Sequence, residues 1–235
     1  MKLVGIDFST TPRACGICVL EGGAITHVGR GNNAAEHPDW LVGHCAEATV
    51  VAVDVPFGWP RPFMEALSCY RIGDALDLPR EQYRLRATDF WIKENIPPLQ
   101  PLSVSTDKLG STAIVGTKLL HAVGNEGFRL SPRSAARSAT VVEVYPAASL
   151  RAWGLPHNNI ETPIVLEALR EAFELTIGDT DQNNLLQSRH CLDALVSALT
   201  AKEYADGNTF YPPEYIPDET IEVEGWIHVP SRSLQ

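Results

Sequence analysis

The sequence predicts a mixed α/β protein, with one sheet that combines antiparallel and parallel strands and is flanked by helices. Two observations predict this class. Three short strand-like runs come first with a tight turn between the last two, and later apolar runs of similar length are separated by helical segments. Antiparallel neighbours can be joined by short turns, whereas parallel neighbours need a long connection that is usually a helix.

The first three strands are predicted within residues 2–31. A two-residue turn at Gly22–Gly23 is typical of a hairpin, so we expect these strands to be antiparallel. The three runs are KLVGIDFS at 2–9, CGICVLEGG at 15–23 and AITHVGRG at 24–31.

The later elements alternate between helix and strand. Apolar side chains at helical spacing predict helices at 37–48, 162–175 and 183–207. The fourth strand is predicted as VVAVDVPF at 50–57, the fifth begins VVEVYPAASL at 141–150, and EGWIHVP at 224–230 indicates a short closing strand. We expect one domain over residues 1–235, with a helical insertion or cap at 57–135.

Carboxylates stand where these buried strands end. Asp7 and Asp54 each close an apolar run, and Glu143 interrupts another. Strands covered on both faces are apolar throughout, and an ionised carboxylate there is costly unless something binds it. On the predicted helix at 183–207, Asp193 and His190 are three residues apart and share one face.

The predicted order of elements resembles the ribonuclease-H-like fold, and this resemblance implies that the acids meet at one edge of the sheet. Mg²⁺ binds carboxylate oxygens and water, so Asp7, Asp54, Glu143 and Asp193 predict a site for one or two Mg²⁺ or Mn²⁺ ions, with His190 as an accessory residue. Three of these acids also have an alternative role. Asp7 could cap the following turn, Asp54 could form the turn before Pro56, and Glu143 could pair with a buried arginine.

The motif RLRATD at 84–89 carries two arginines. Arginine suits bidentate phosphate contacts, so we predict that Arg84 and Arg86 bind a substrate phosphate, with Asp89 as an accessory residue. The alternative is a salt bridge to Asp89 or Glu81. A second basic run, SPRSAARS at 131–138, is expected to be a solvated loop.

The predicted elements follow one another as a hairpin, a helix, a strand, inserted elements, a strand and a helix. This is the succession of the ribonuclease-H-like fold. The motifs also resemble the domain-of-unknown-function family 429, described as predicted nucleases of RNase H fold. HCLDAL is similar to the late helix of RuvC-like resolvases. The motifs that carry the family resemblance are GIDFST at 5–10, AVDVPFGWP at 52–60, RLRATD at 84–89, VVEVYPAASL at 141–150, HCLDALVSALTA at 190–201 and EGWI at 224–227.

The resemblance implies a ribonuclease-H-like mixed five-stranded sheet and a nuclease-like site. We therefore predict a metal-dependent nuclease that hydrolyses phosphodiesters in DNA or RNA. Two alternatives stay open: an actin-like ATP-binding phosphotransferase, although no P-loop motif is present, and a non-catalytic binding module of the same fold. An exposed edge strand could pair two copies as a homodimer.

Composition limits the partners and the compartment. With 19 Lys and Arg against 29 Asp and Glu, the net charge is −10, so nucleic acid would need a local basic patch or metal ions. No apolar stretch approaches the roughly 18 residues of a membrane span, so no membrane partner is expected. Five cysteines without framework spacing indicate a reducing cytoplasm. Cys15 and Cys18 should face opposite sides of a strand and share no metal.

Overall fold

The computed structural model describes residues 1–31, 39–105, 109–130, 139–158 and 161–234. The basic run at 131–138 lies outside the described residues. The strands are β1 (Lys2–Asp7), β2 (Gly16–Glu21), β3 (Ala24–Arg30), β4 (Val50–Asp54), β5 (Arg129–Leu130), β6 (Thr140–Val144) and β7 (Ile227–His228). The helices are α1 (Asp39–Cys45), α2 (Arg61–Cys69), α3 (Arg80–Arg84), α4 (Ala87–Asn95), α5 (Leu109–Asn125), α6 (Pro146–Ala152), α7 (Thr162–Ala172), α8 (Asp179–Gln187), α9 (Arg189–Ala205) and α10 (Asp218–Glu224).

All seven strands belong to one sheet, in the order β3-β2-β1-β4-β6-β5, and β7 also pairs with β6. β2 is antiparallel to β1 and to β3. β1, β4 and β6 are parallel neighbours. The predicted mixed α/β sheet with three antiparallel strands first is therefore confirmed.

The predicted number of five strands is wrong, because two short strands extend the sheet beside β6. β5 pairs with the first half of β6, and β7 pairs with the second half, both in parallel. Each is two residues long, which is too short for an alternating pattern to appear in the sequence. The fifth strand of the prediction is β6.

Helices cover both faces of the sheet. α9 packs on one face, together with Leu3 and Cys18, and α1 and α5 pack on the other face, with Val4 and Cys15. Cys15 and Cys18 thus contribute to opposite faces, as predicted, and neither forms a disulfide bond. A strand buried on both faces has no solvated side, which explains why β1 is apolar between Lys2 and Asp7 and why β4 is apolar until Asp54.

Two glycines let α9 lie directly against the sheet. A Cβ atom on Gly5 would stand 2.1 Å from the carbonyl oxygen of Ala194, and one on Gly16 would stand 2.0 Å from that of His190. These separations are far below van der Waals contact, so no side chain fits at either position. The close approach places the first turns of α9 beside the end of β1.

The single helix predicted over 183–207 is instead two helices. α8 ends before Ser188 and α9 begins after it, because Ser188 has an extended backbone with φ −138° and ψ 118°. The Ser188 hydroxyl accepts a hydrogen bond from the amide of Cys191, which is an N-cap. This break lets α9 start at the strand end that carries Asp7.

Four helices lie between β4 and β6. α5 packs on the sheet through Leu119 and Val123. α4 packs elsewhere, where Trp91 contacts Trp226 with ring centroids 5.5 Å apart. In the described part of the chain, no helix combines the length and the apolar character that crossing a bilayer requires.

Candidate active site

Two acids are held side by side by strand pairing. Asp7 and Asp54 are register partners at the C-terminal ends of β1 and β4. Since Gly5 faces α9, Asp7 two residues later faces it too, and so does its partner Asp54. The predicted convergence of these two acids therefore follows from the backbone.

Asp193 reaches the same place from the helix. His190 Nδ1 lies 2.6 Å from Asp7 Oδ2, and Arg189 Nε donates to Asp193 Oδ2 at 2.7 Å. Each of these two contacts uses one oxygen of a carboxylate. Asp193 Oδ1 is buried and has no hydrogen-bond partner among the described residues.

The pKa values of all three aspartates are raised above the ordinary value. Burial raises the pKa of Asp7 from 3.8 to about 6, although its hydrogen bond with His190 lowers it. Burial, followed by the charges of Asp7, Asp193 and Glu143, raises the pKa of Asp54 well above its ordinary value. Burial also raises the pKa of Asp193. Burial therefore makes each carboxylate easier to protonate than a solvated aspartate, and at Asp54 the neighbouring negative charges add to this effect, which a bound cation would offset.

Glu143 does not join this group. It is the register partner of Val53, one residue before Asp54, so its side chain points to the opposite face of the sheet. There Arg86 binds it with Nη1 at 2.9 Å from Oε2 and Nη2 at 2.8 Å from Oε1. The amide of Phe57 also donates to Oε2 at 3.0 Å.

Arg86 is enclosed in the same network. Its side chain is 2 % exposed, and its Nε donates to Asp89 Oδ2 at 3.1 Å while Nη2 donates to Oδ1 at 3.2 Å. Nη1 donates in addition to the carbonyl oxygen of Glu224 at 2.9 Å. An arginine with these partners is a structural cation.

Two of the predicted roles need correction on this geometry. The phosphate role of Arg86 does not fit, because its guanidinium is buried and bound to Glu143 and Asp89, the salt bridge that was the alternative. The metal role of Glu143 does not fit either, because both its oxygens face Arg86. Asp89 belongs to this network through Arg86, although it also lines the cleft described next. Arg84 is half-buried at the end of α3, and its phosphate role stays a prediction.

A cleft of about 270 Å³ opens at the ends of the parallel strands. Asp7 and Asp54 line it from the sheet, together with Tyr145, which follows β6. Pro101 and Leu102, which come before α5, line it from the inserted segment. A small ligand can therefore reach both acids.

The donor chemistry fits a hard divalent cation, since the site offers carboxylate oxygens, one of them buried and without a partner among the described residues. Asp7, Asp54 and Asp193 are the residues that could hold it. As the side chains stand, the described ranges contain no group of three or more His, Cys, Asp or Glu residues that could hold a metal ion. Binding would therefore require these side chains to turn toward a shared centre.

Several site residues were not identified from the sequence. Arg189 had a signal, because it precedes Asp193 by four residues on one helix face. Glu224, inside the EGWI motif, accepts hydrogen bonds from the first amides of two helices, Arg61 of α2 at 2.7 Å and Ala87 of α4 at 2.6 Å. Its position in an acidic stretch did not distinguish it from a solvated residue.

Fold and site together define an α/β protein with acidic residues at the ends of adjacent parallel strands, next to a late helix that carries a third acid. The chain belongs to the family described as "Protein of unknown function (DUF429)", whose model matches residues 5–219. No curated protein matches the sequence. Among solved structures, the chain is similar to one described as "Thermus thermophilus RuvC structure", with 16 % identity and a TM-score of 0.41, over 91 % of this chain and 100 % of that one.

Proposed function

We propose that this protein is a metal-dependent nuclease of ribonuclease-H-like fold, in which Asp7, Asp54 and Asp193 hold the divalent ions. The observation that carries the proposal is the pairing of Asp7 with Asp54 at the ends of β1 and β4, beside the first turns of α9. The strand order β3-β2-β1-β4-β6, with the first three strands antiparallel, supports the fold assignment.

The electrostatics of the site favour a bound cation. Three carboxylates face one arginine and one histidine, and Asp54 has a pKa raised by its acidic neighbours as well as by burial. When bound, a divalent ion supplies a water of lowered pKa and stabilises charge on the phosphate oxygens.

Arg189 and His190 act in this proposal as positioning residues. Each binds one oxygen of an aspartate, Arg189 on Asp193 and His190 on Asp7, and so limits how these carboxylates can turn toward an ion. Hydrolysis joins a water oxygen to phosphorus and breaks the bond from phosphorus to the leaving oxygen, which takes up a proton. His190 shares a proton with Asp7, and this hydrogen bond raises the pKa of His190, which favours the protonated imidazole.

The remaining parts of the proposal rest on the sequence. Mg²⁺ or Mn²⁺ is the ion, DNA or RNA is the substrate, and Arg84 contacts a phosphate. Residues 57–135 form a cap within a single domain of residues 1–235, and the protein works in the cytoplasm.

The test compares single site variants on nucleic acid in the presence of Mn²⁺. Asp7→Asn, Asp54→Asn and Asp193→Asn are assayed on single-stranded, duplex, hybrid and branched substrates, with Asp77→Asn as the control because Asp77 is exposed and remote from the cleft lining. The expected loss is on the order of 10²-fold or more for each site variant, as when one transition-state contact is removed. Equal rates in the site variants and the control would contradict the proposal.

A non-catalytic binding module is the second candidate, and one observation favours it. His190 and Arg189 already compensate two of the three aspartates, so the site can exist without metal. If titration calorimetry detects no Mn²⁺ binding at millimolar concentration, this second function replaces the first.

A further inference from the structure

The cleft over Asp7 and Asp54 is bounded by two parts of the chain. Strand ends contribute the acids, Phe8 and Tyr145, and the inserted segment contributes Pro101 and Leu102 before α5 and Leu109 and Thr112 from its first turn. The inserted segment therefore limits what can reach the acids.

Its size suits one small organic group. Pockets for small ligands start at about 300 Å³, and this cleft measures about 270 Å³. A strand that continues on both sides of the cleaved phosphate needs an open groove, and here Pro101, Leu102 and Leu109 line one side of the cleft.

The charge of the cleft is compatible with one phosphate that is bound through metal ions, and it is unfavourable for the phosphates on either side. The charged residues that line the cleft are Asp7, Asp54, Asp89 and Glu143, and no Lys or Arg is among the described lining residues. Proteins that follow a nucleic-acid backbone neutralise successive phosphates with Lys and Arg. Among the described lining residues, no cation would compensate a phosphate beyond the one at the metal ions.

The apolar lining suits a base. Tyr145 is aromatic and half-buried, and Pro101, Leu102 and Leu109 are apolar, whereas Phe8 lies in the core beneath them. Bases stack on aromatic side chains with little dependence on sequence. The same cleft therefore combines acids that would hold metal ions for one phosphate with an apolar surface for one base.

We propose that the cleft binds a single nucleotide unit with one phosphodiester, so that the protein acts at a chain end or on a small nucleotide ester rather than within a strand. This inference rests on the proposed function and gives its substrate class. Water adds to phosphorus, the phosphorus–oxygen bond to the rest of the chain breaks, and that oxygen takes a proton. The products are one mononucleotide and a shortened strand.

The first test uses the parent protein, Mn²⁺ and two forms of one single-stranded oligonucleotide, linear and circularised. A thymidine 5′-monophosphate p-nitrophenyl ester is the small substrate. We expect the linear form and the ester to be hydrolysed and the circle to be cut at least about 100-fold more slowly. A circle cut as fast as the linear form would overturn this inference and leave the proposed function standing. If the parent neither cleaves any substrate nor binds Mn²⁺, the proposed function fails and this inference fails with it.

The second test fills the cleft. Leu102→Trp places a larger side chain in the lining, and Leu67→Trp is the matched control, because the two leucines are 48 % and 44 % exposed and Leu67 lies on α2. Mn²⁺ binding, measured by calorimetry, should be unchanged in both variants. Binding of thymidine 5′-monophosphate with Ca²⁺ present should weaken at least about tenfold in Leu102→Trp alone. Equal nucleotide affinity in the two variants would also overturn the inference.

Discussion

Asp7 and Asp54 are register partners on two neighbouring parallel strands. Neighbouring strands are about 4.8 Å apart, so backbone hydrogen bonds alone hold the two carboxylates near each other. The protein maintains this repulsive pair although burial raises the pKa of both groups. Residues that cost stability and are kept in a cleft are candidates for function.

Divalent ions should stabilise the folded protein through Asp54. At a Mn²⁺ concentration of 100 times its Kd, binding adds about 2.7 kcal/mol, which raises Tm by roughly 5–10 °C for a chain of this size. Thermal unfolding monitored by circular dichroism measures this shift. Asp77→Asn should show the full shift and Asp54→Asn little of it. The same shift in both variants would mean that the ion binds elsewhere.

Stability without divalent ions should fall as the pH rises from about 4 to about 6. A carboxyl whose folded pKa exceeds its unfolded pKa binds more protons in the folded state over this window, so the free energy of unfolding decreases with pH. Asp7, with a pKa raised from 3.8 to about 6, and Asp54 both behave this way. The raised pKa of His190 acts in the same direction, because its contribution is lost as the pH rises through that pKa.

Urea denaturation of the parent and of Asp54→Asn at different pH values tests this predicted pH dependence of stability. The variant should be more stable than the parent at neutral pH, and the difference should disappear as the pH falls below the ordinary aspartate pKa of 3.8, where the parent carboxyl is protonated in both states. A variant that is less stable than the parent at neutral pH would show that the Asp54 charge is well compensated.

Arg86→Met should destabilise the protein strongly. It leaves Glu143 and Asp89 buried without their cation, and removing one partner of a buried pair costs about 3–5 kcal/mol. The double variant Arg86→Met with Glu143→Gln should recover part of this loss, as urea midpoints will show. If Arg86 instead contacts substrate phosphate, Arg86→Met will lower the reaction rate and leave the midpoint unchanged.

Gly5→Ala should displace α9 from the sheet. The new Cβ would meet the backbone of Ala194 at 2.1 Å and that of Ala198 at 2.2 Å, and overpacking of this kind costs about 1–3 kcal/mol. Gly43→Ala in α1 is the control, because nothing lies within 4 Å of the position that its methyl group would take, and alanine there should be neutral or stabilising by up to about 1 kcal/mol. Equal unfolding midpoints for Gly5→Ala and Gly43→Ala would show that the space between β1 and α9 accommodates a methyl group.

The sequence predicts most of the sheet and the proximity of Asp7 and Asp54, because both depend on local patterns. Asp7 and Asp54 close apolar runs, and parallel pairing brings such ends together. A buried arginine as the partner of Glu143 is one of the alternatives that the sequence leaves open, but the sequence does not identify it as Arg86, which lies 57 positions away. Glu143 pairs with Val53, one residue before Asp54, so its side chain lies on the other face of the sheet. The register between two strands cannot be read from the sequence of either strand alone.

Anomalous X-ray scattering from crystals soaked in Mn²⁺ tests the central claim most directly. The account predicts a Mn²⁺ peak bonded to carboxylate oxygens of Asp7 and Asp54, with Asp193 as the third side chain. No peak at this position at saturating Mn²⁺, with His190 still bound to Asp7 and Arg189 still bound to Asp193, would contradict it.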